Sequence, residues 1–180
     1  KDLALLSRKL KQQGTHLGLW LAINDYDANI DSGIRQGYHE AGRNRYFSQN
    51  ARYYSLSATK YREEILRRIP QLAKTADIVY FKHDFNDLCD LAEGNNHPPT
   101  DRHGHEANLD VELRVLTETR KARPGIIQNL TNWVWFSPWW LQYADYLWML
   151  AGDDGVNGNT PELSEKAMST TDRDTYIWRM

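Results

Sequence analysis

Ala76-Asp77-Ile78-Val79-Tyr80-Phe81-Lys82-His83-Asp84-Phe85-Asn86-Asp87 decides how the rest of the chain is read. Ile78 to Phe81 are apolar, β-branched or aromatic, the composition of a short strand buried on both faces in a parallel sheet. Polar residues arrive only at its C-terminal end. A strand period of two puts Tyr80, Lys82 and Asp84 on one face and Val79, Phe81, His83 and Phe85 on the other. Lys82 and Asp84 then point the same way, one pleat apart. Opposite charges at the end of a buried strand are costly unless they are paired or used. In α/β barrels that strand end is where catalytic groups sit.

Helix and strand patterns alternate on both sides of this stretch. Upstream, Ser57–Ala73 carries Tyr61, Ile65, Ile69 and Leu72 on one helical face, with Ser57 or Thr59 as cap and Pro70 expected to kink or end it early. Lys1–Gln13 is a helix through Leu3, Leu6 and Leu10, stopped at Gly14. His16–Asn24 follows as a strand ending in Asn24, Asp25 and Asp27. Residues 26–56 read as a long polar loop insertion, a lid or binding loop held by Tyr38, Tyr46, Phe47, Tyr53 and Tyr54.

Downstream, 87–104 is a polar loop. Its His97, Asp101 and His103, with His105 just beyond, fit no closed zinc spacing and read as loop and cap, with a metal site as the lesser alternative. Glu106–Arg120 is a helix stopped by Pro124-Gly125, Ile126–Thr131 a strand, Ser137-Pro138 a helix start, and Tyr146–Gly152 a fourth strand. The tail turns helical from Thr171. Such alternation predicts parallel strands with outer helices. Four strands in 180 residues keep the pace of a (β/α)8 TIM barrel, which takes about 250 residues when complete. The expectation is one partial barrel domain over 1–180, about half of the barrel, roughly its strands 3–6. It would be completed by the remainder of the parent polypeptide or by a second copy. A doubly wound, flavodoxin-like sheet is the alternative, although no Gly-rich phosphate loop follows any strand.

Composition narrows the classes. The net charge is -2 and the pI about 6.3, against a nucleic-acid groove or an anionic membrane surface as partner. No apolar run reaches the roughly 18 residues that a membrane span needs. Cys89 is alone, so no internal disulfide forms. Seven Trp, ten Tyr and four Phe suit either an aromatic core or a sugar-stacking surface.

Two carboxylates at the C-terminal ends of barrel strands commonly flank a glycosidic bond as nucleophile and general acid/base. Asp84 on the second strand and Asp153 or Asp154 after the fourth are such a pair. Lys82 beside Asp84 would keep it ionised, as a nucleophile requires. The acid/base must start protonated, which suits the apolar Trp148-Met149-Leu150 end of the fourth strand.

Leu56-Ser57, Tyr61-Arg62 and Ile78-Val79-Tyr80-Phe81-Lys82-His83-Asp84-Phe85-Asn86 together resemble the strand-4 region of glycoside hydrolase family 36, the melibiase-like α-galactosidases and α-N-acetylgalactosaminidases. Gly18-Leu19-Trp20 is similar to the Gly-Leu-Trp of that family's preceding strand. Trp148-Met149-Leu150-Ala151-Gly152-Asp153-Asp154 stands at the spacing of its Trp-x-Ser-Asp-Asp segment. The resemblance covers roughly 3–25 and 55–155. It implies a retaining α-glycosidase without metal or cofactor, with Asp84 as nucleophile and Asp153 as acid/base. Trp20, Lys82, Asn129, Trp148 and Asp154 would then surround a carbohydrate substrate. The sequence departs from the family at His83, where the family has Trp, and at Gln128-Asn129-Leu130-Thr131-Asn132, where it has a Cys and Gly-Gly-Arg segment. Family 31 α-glycosidases are a close neighbour, and a non-catalytic carbohydrate-binding barrel relative is the rival class.

Overall fold

The computed structural model describes residues 2–24, 30–43, 52–132 and 137–147. All lie in the first of two compact units, which ends at Leu147. Helix α1 (Asp2–Gln12) has Asp2 in its first turn and Lys9 and Lys11 in its last, the order that the helix dipole favours. It turns Leu3 and Leu10 onto the core, and Lys11 pairs with Asp77 ahead of the central strand. Strand β1 (Gly18–Leu21) follows.

The segment expected as a long loop is structured over most of its described length. It holds a short helix α2 (Ile30–Arg35) and an antiparallel pair, β2 (Glu40–Arg43) and β3 (Arg52–Tyr54). Tertiary hydrogen bonds fix this hairpin. Tyr54 N–H donates to Asn24 O, Ser55 N–H to His39 O and Leu91 N–H to Ala41 O, at 2.9, 2.9 and 3.0 Å. The Tyr38, Tyr54 and Tyr61 rings pack with centroids 4.7–5.3 Å apart.

Helix α3 (Thr59–Thr75) runs through Pro70 and neither ends nor starts at it. Pro70 is itself buried, and Ile65, Ile69, Leu72 and Ala73 are packed on both sides of it. Their burial outweighs the one helical hydrogen bond that proline forfeits. Strand β4 (Tyr80–Asn86) is the central strand. Helix α4 (Asp101–Ala122) begins five residues earlier than its apolar pattern, because Thr100 caps it by accepting from the His103 N–H. A Cβ on Gly104 would lie 2.0 Å from Asp90 O, so glycine is what lets the 90s loop lie directly on this helix. Strand β5 (Ile127–Asn132), a 3-10 turn (Pro138–Gln142) capped by Ser137, and strand β6 (Tyr146–Leu147) complete the described chain.

The main sheet has the order β1-β4-β5-β6, parallel throughout. Strands therefore stand side by side in chain order. A doubly wound sheet reverses its order and carries helices on both faces; among the described residues neither occurs. Leu19, Leu21, Phe81, Leu130 and Leu147 all point to one side. There they join α1, α3, α4 and the 3-10 turn in two core clusters. A third cluster, with Ile23, Tyr54, Leu56, Ile65, Leu88 and Val115, binds the hairpin to α3 and α4. On the other side Trp20, Ile127 and Tyr146 are 52%, 39% and 58% exposed. Among the described residues no helix is long and apolar enough to cross a membrane.

Candidate functional site

Parallel register places residues of one face in rows across the sheet. One row is Trp20, Lys82, Asn129 and Tyr146, from four strands. Asp84 lies one pleat further toward the C-terminal end of β4, on the same open face, as the alternation in sequence predicts. Two donors from this row meet one of its oxygens. Lys82 Nζ lies 3.1 Å from Asp84 Oδ2, and Trp20 Nε1–H donates to the same atom at 3.0 Å. The Lys82 side chain is 24% exposed and that of Asp84 12%. The carboxylate is thus sheltered from water yet charge-partnered, a setting in which charge-assisted hydrogen bonds are strong.

The pleat below supports this row. Tyr80 OH accepts from Asn129 Nδ2 at 2.6 Å. Gly18 stands opposite Tyr80, and a Cβ there would lie 3.2 Å from Tyr80 Cβ and Cδ1, so glycine leaves the ring its room. Asn129 Oδ1 is buried without a partner among the described residues. Of the sequence-predicted residues, Trp20, Lys82 and Asp84 are brought together, and Asn129 stands beside Lys82 in register. Trp148, Asp153 and Asp154 lie outside the described residues.

The alternate residues of β4 face the helices. His83 is fully buried, its ring 5.8 Å from that of Phe81, centroid to centroid. Burial pushes its pKa down to about 4; the Gln128 side chain pulls weakly the other way without a well-formed bond to either ring nitrogen. His83 is therefore a neutral core residue at pH 7.

Sequence reading missed a buried polar network at the C-terminal ends of β1 and β4. Asn24 Nδ2 donates to Asp87 O at 2.7 Å, Cys89 N–H to Asp87 Oδ1 at 2.8 Å, and Tyr53 OH to Cys89 O at 2.9 Å. Burial pushes the Asp87 carboxyl above its usual range, opposed by the Cys89 N–H and the Tyr53 hydroxyl. Asn108 on α4 accepts from Ser57 N–H and donates to Leu88 O. The only trace in sequence was the polar cluster opening at Asn24. Two of the histidines expected in a loop are engaged locally: His97 Nε2 lies 3.1 Å from Asp90 Oδ2, and His103 joins the Thr100 cap of α4. Among the described residues no three His, Cys, Asp or Glu side chains gather as a metal site.

No family model matches the chain, and no curated protein matches it by sequence. Solved structures do match. The GH36 α-galactosidase AgaA of Geobacillus stearothermophilus superposes with a TM-score of 0.64 at 20% identity, over 86% of this chain and 22% of that one. The α-galactosidase of Lactobacillus brevis gives 0.64 at 13%, over 97% and 23%. The glycoside hydrolase domain of PelA from Pseudomonas aeruginosa gives 0.58 at 18%, over 98% and 68%. The likeness is one of fold. It meets the resemblance to GH36 read from Gly18-Leu19-Trp20 and Lys82-His83-Asp84, and this chain spans about a fifth of the α-galactosidase chains it matches.

Proposed function

We propose that this chain is the catalytic half of a retaining α-glycosidase, of the α-galactosidase or α-N-acetylgalactosaminidase type, and carries both of its catalytic carboxylates. The observation that carries the reading is the convergence of Lys82 and Trp20 on Asp84 Oδ2 at the C-terminal end of a central parallel strand. Asp84 attacks the anomeric carbon as the bond to the leaving-group oxygen breaks, and a covalent glycosyl-enzyme forms. Asp153, with Asp154 next in line, gives its proton to that oxygen. It then takes a proton from the water that displaces Asp84. Lys82 stays beside the carboxylate through both steps. Variants of AgaA hold raffinose in one matched structure and stachyose in another, which supports a carbohydrate as the substrate class.

In the complete protein, Asp84→Asn should lower kcat/KM on a 4-nitrophenyl α-glycoside by about 10⁴-fold or more while leaving the fold intact. A 2-deoxy-2-fluoro α-glycosyl fluoride should leave its mass on the peptide holding Asp84. Turnover by Asp84→Asn near that of the native protein, or a label on another carboxylate, would overturn the assignment.

The same reading makes the sheet about half of a (β/α)8 barrel whose other strands come from the rest of the parent polypeptide. Strand order equal to chain order, described helices packed on one face and exposed aromatics on the other support it. In a crystal structure of the complete protein, β1 and β6 should each gain a further parallel neighbour. Finding both bare there would end the barrel proposal.

A further inference from the structure

We propose that Trp20 is a positioning residue for Asp84: its indole N–H holds the carboxylate in the orientation from which it attacks, and it is not primarily a sugar platform. The inference rests on Asp84 being the nucleophile. The sequence invites the platform reading, because a half-exposed tryptophan on an open sheet face suits stacking on a sugar ring. The geometry points elsewhere. Indole has one donor and no acceptor, and that donor is 3.0 Å from Asp84 Oδ2. It cannot be given to a sugar hydroxyl at the same time.

The two donors on Oδ2 also differ in kind. Lys82 reaches it by a flexible four-carbon stem from the same strand, two residues before Asp84. Trp20 reaches it from the neighbouring strand, with a rigid ring and only two side-chain torsions. Register sets Trp20 opposite Lys82, so the N–H is aimed by the β1 backbone. Lys82 supplies charge, and Trp20 supplies direction. A group that only orients the attacking carboxylate acts on the barrier more than on substrate binding.

Two measurements on the complete protein test this. Trp20→Phe keeps an aromatic ring and removes the donor. On a 4-nitrophenyl α-glycoside its kcat should fall by about 10- to 100-fold, the range for a hydrogen bond to a charged group, with KM within about threefold of native. A rise in KM with unchanged kcat would make Trp20 a platform and overturn the proposal, and unchanged kcat and KM would overturn it too. The second readout needs no turnover. With ¹⁵N-labelled tryptophan, the indole resonance that Trp20→Phe deletes should lie downfield as that of an N–H donating to a carboxylate, and it should move in Asp84→Asn. A resonance indifferent to Asp84 overturns the proposal. If Asp84→Asn instead keeps its turnover, the nucleophile assignment fails and Trp20's catalytic part with it. The NMR coupling then still decides whether Trp20 holds that carboxylate.

Discussion

Leu19, Phe81 and Leu130 on one face of the sheet are closed over by α1, α3, α4 and the 3-10 turn. Trp20, Lys82 and Asn129 are displaced from them by a single residue along each of the same three strands, and they form a polar and aromatic row on the other face. The difference shows how one short strand serves two purposes. Period two assigns alternate residues of β4 to the packed face and to the open one, so Phe81 and His83 can be judged as core while Tyr80, Lys82 and Asp84 are left for the proposed site. His83 marks the boundary most sharply. It is a titratable ring beside the proposed nucleophile, yet it faces the helices.

The larger expected effect tests the closed face. His83 titrates near 6.5 in an unfolded chain, and burial lowers that to about 4 in the fold. Between those values the unfolded chain binds the extra proton, so stability is full above about pH 6.5 and is lost as pH falls toward 4. The loss attributable to this ring is about 3 kcal/mol over that window. Asp87, whose folded carboxyl is raised by burial, acts in the opposite sense as pH falls. The measurement is therefore a difference: urea unfolding of the native protein and of His83→Gln at pH 7 and pH 4.5. The variant should lose distinctly less stability between the two pH values. Equal losses would mean that His83 is not held neutral in the core, and the contrast between the faces would break at this residue.

What the sequence revealed and hid follows the same contrast. The alternation from Tyr80 to Asp84 and the apolar face of α3 were legible because local periodicity and burial agree there. The hairpin of β2 and β3 was hidden. Its strands are four and three residues long and are held by bonds to Asn24, His39, Cys89 and Leu91 that no local pattern announces. The start of α4 was hidden because its first turn is Asp101-Arg102-His103-Gly104. Gly104 reads as a loop residue until the close approach of Asp90 O explains it. As a helix end Pro70 misled, for the reason that a proline usually informs: its local cost is real, and tertiary burial exceeded it. On the open face, parity placed Lys82 and Asp84 together. The donation from Trp20 depends on cross-strand register, which a single strand's sequence does not contain.

The smallest expected effect sharpens the open face. Tyr80 lies beneath Lys82, and its hydroxyl accepts the amide of Asn129 at 2.6 Å. Asn129 Oδ1 already lacks a partner among the described residues, so Tyr80→Phe would take away the one side-chain bond that orients this amide. Phenylalanine keeps the ring that Gly18 makes room for, and no cavity opens. The stability cost should then be that of one partly buried hydrogen bond, about 1 kcal/mol, and smaller than the acid loss carried by His83. Asn129 shares its row with Trp20 and Lys82. If that row lies against the sugar, an unanchored amide should also raise KM by a few-fold in the complete protein, with kcat little changed, because the bond is not one to the reacting atoms. That pattern is the reverse of the one expected for Trp20→Phe, so the two variants separate holding the substrate from aiming the nucleophile. A Tyr80→Phe protein with native KM and about 1 kcal/mol less stability would place Tyr80 and Asn129 in the packing of the open face and confine the site to the pleats of Lys82 and Asp84.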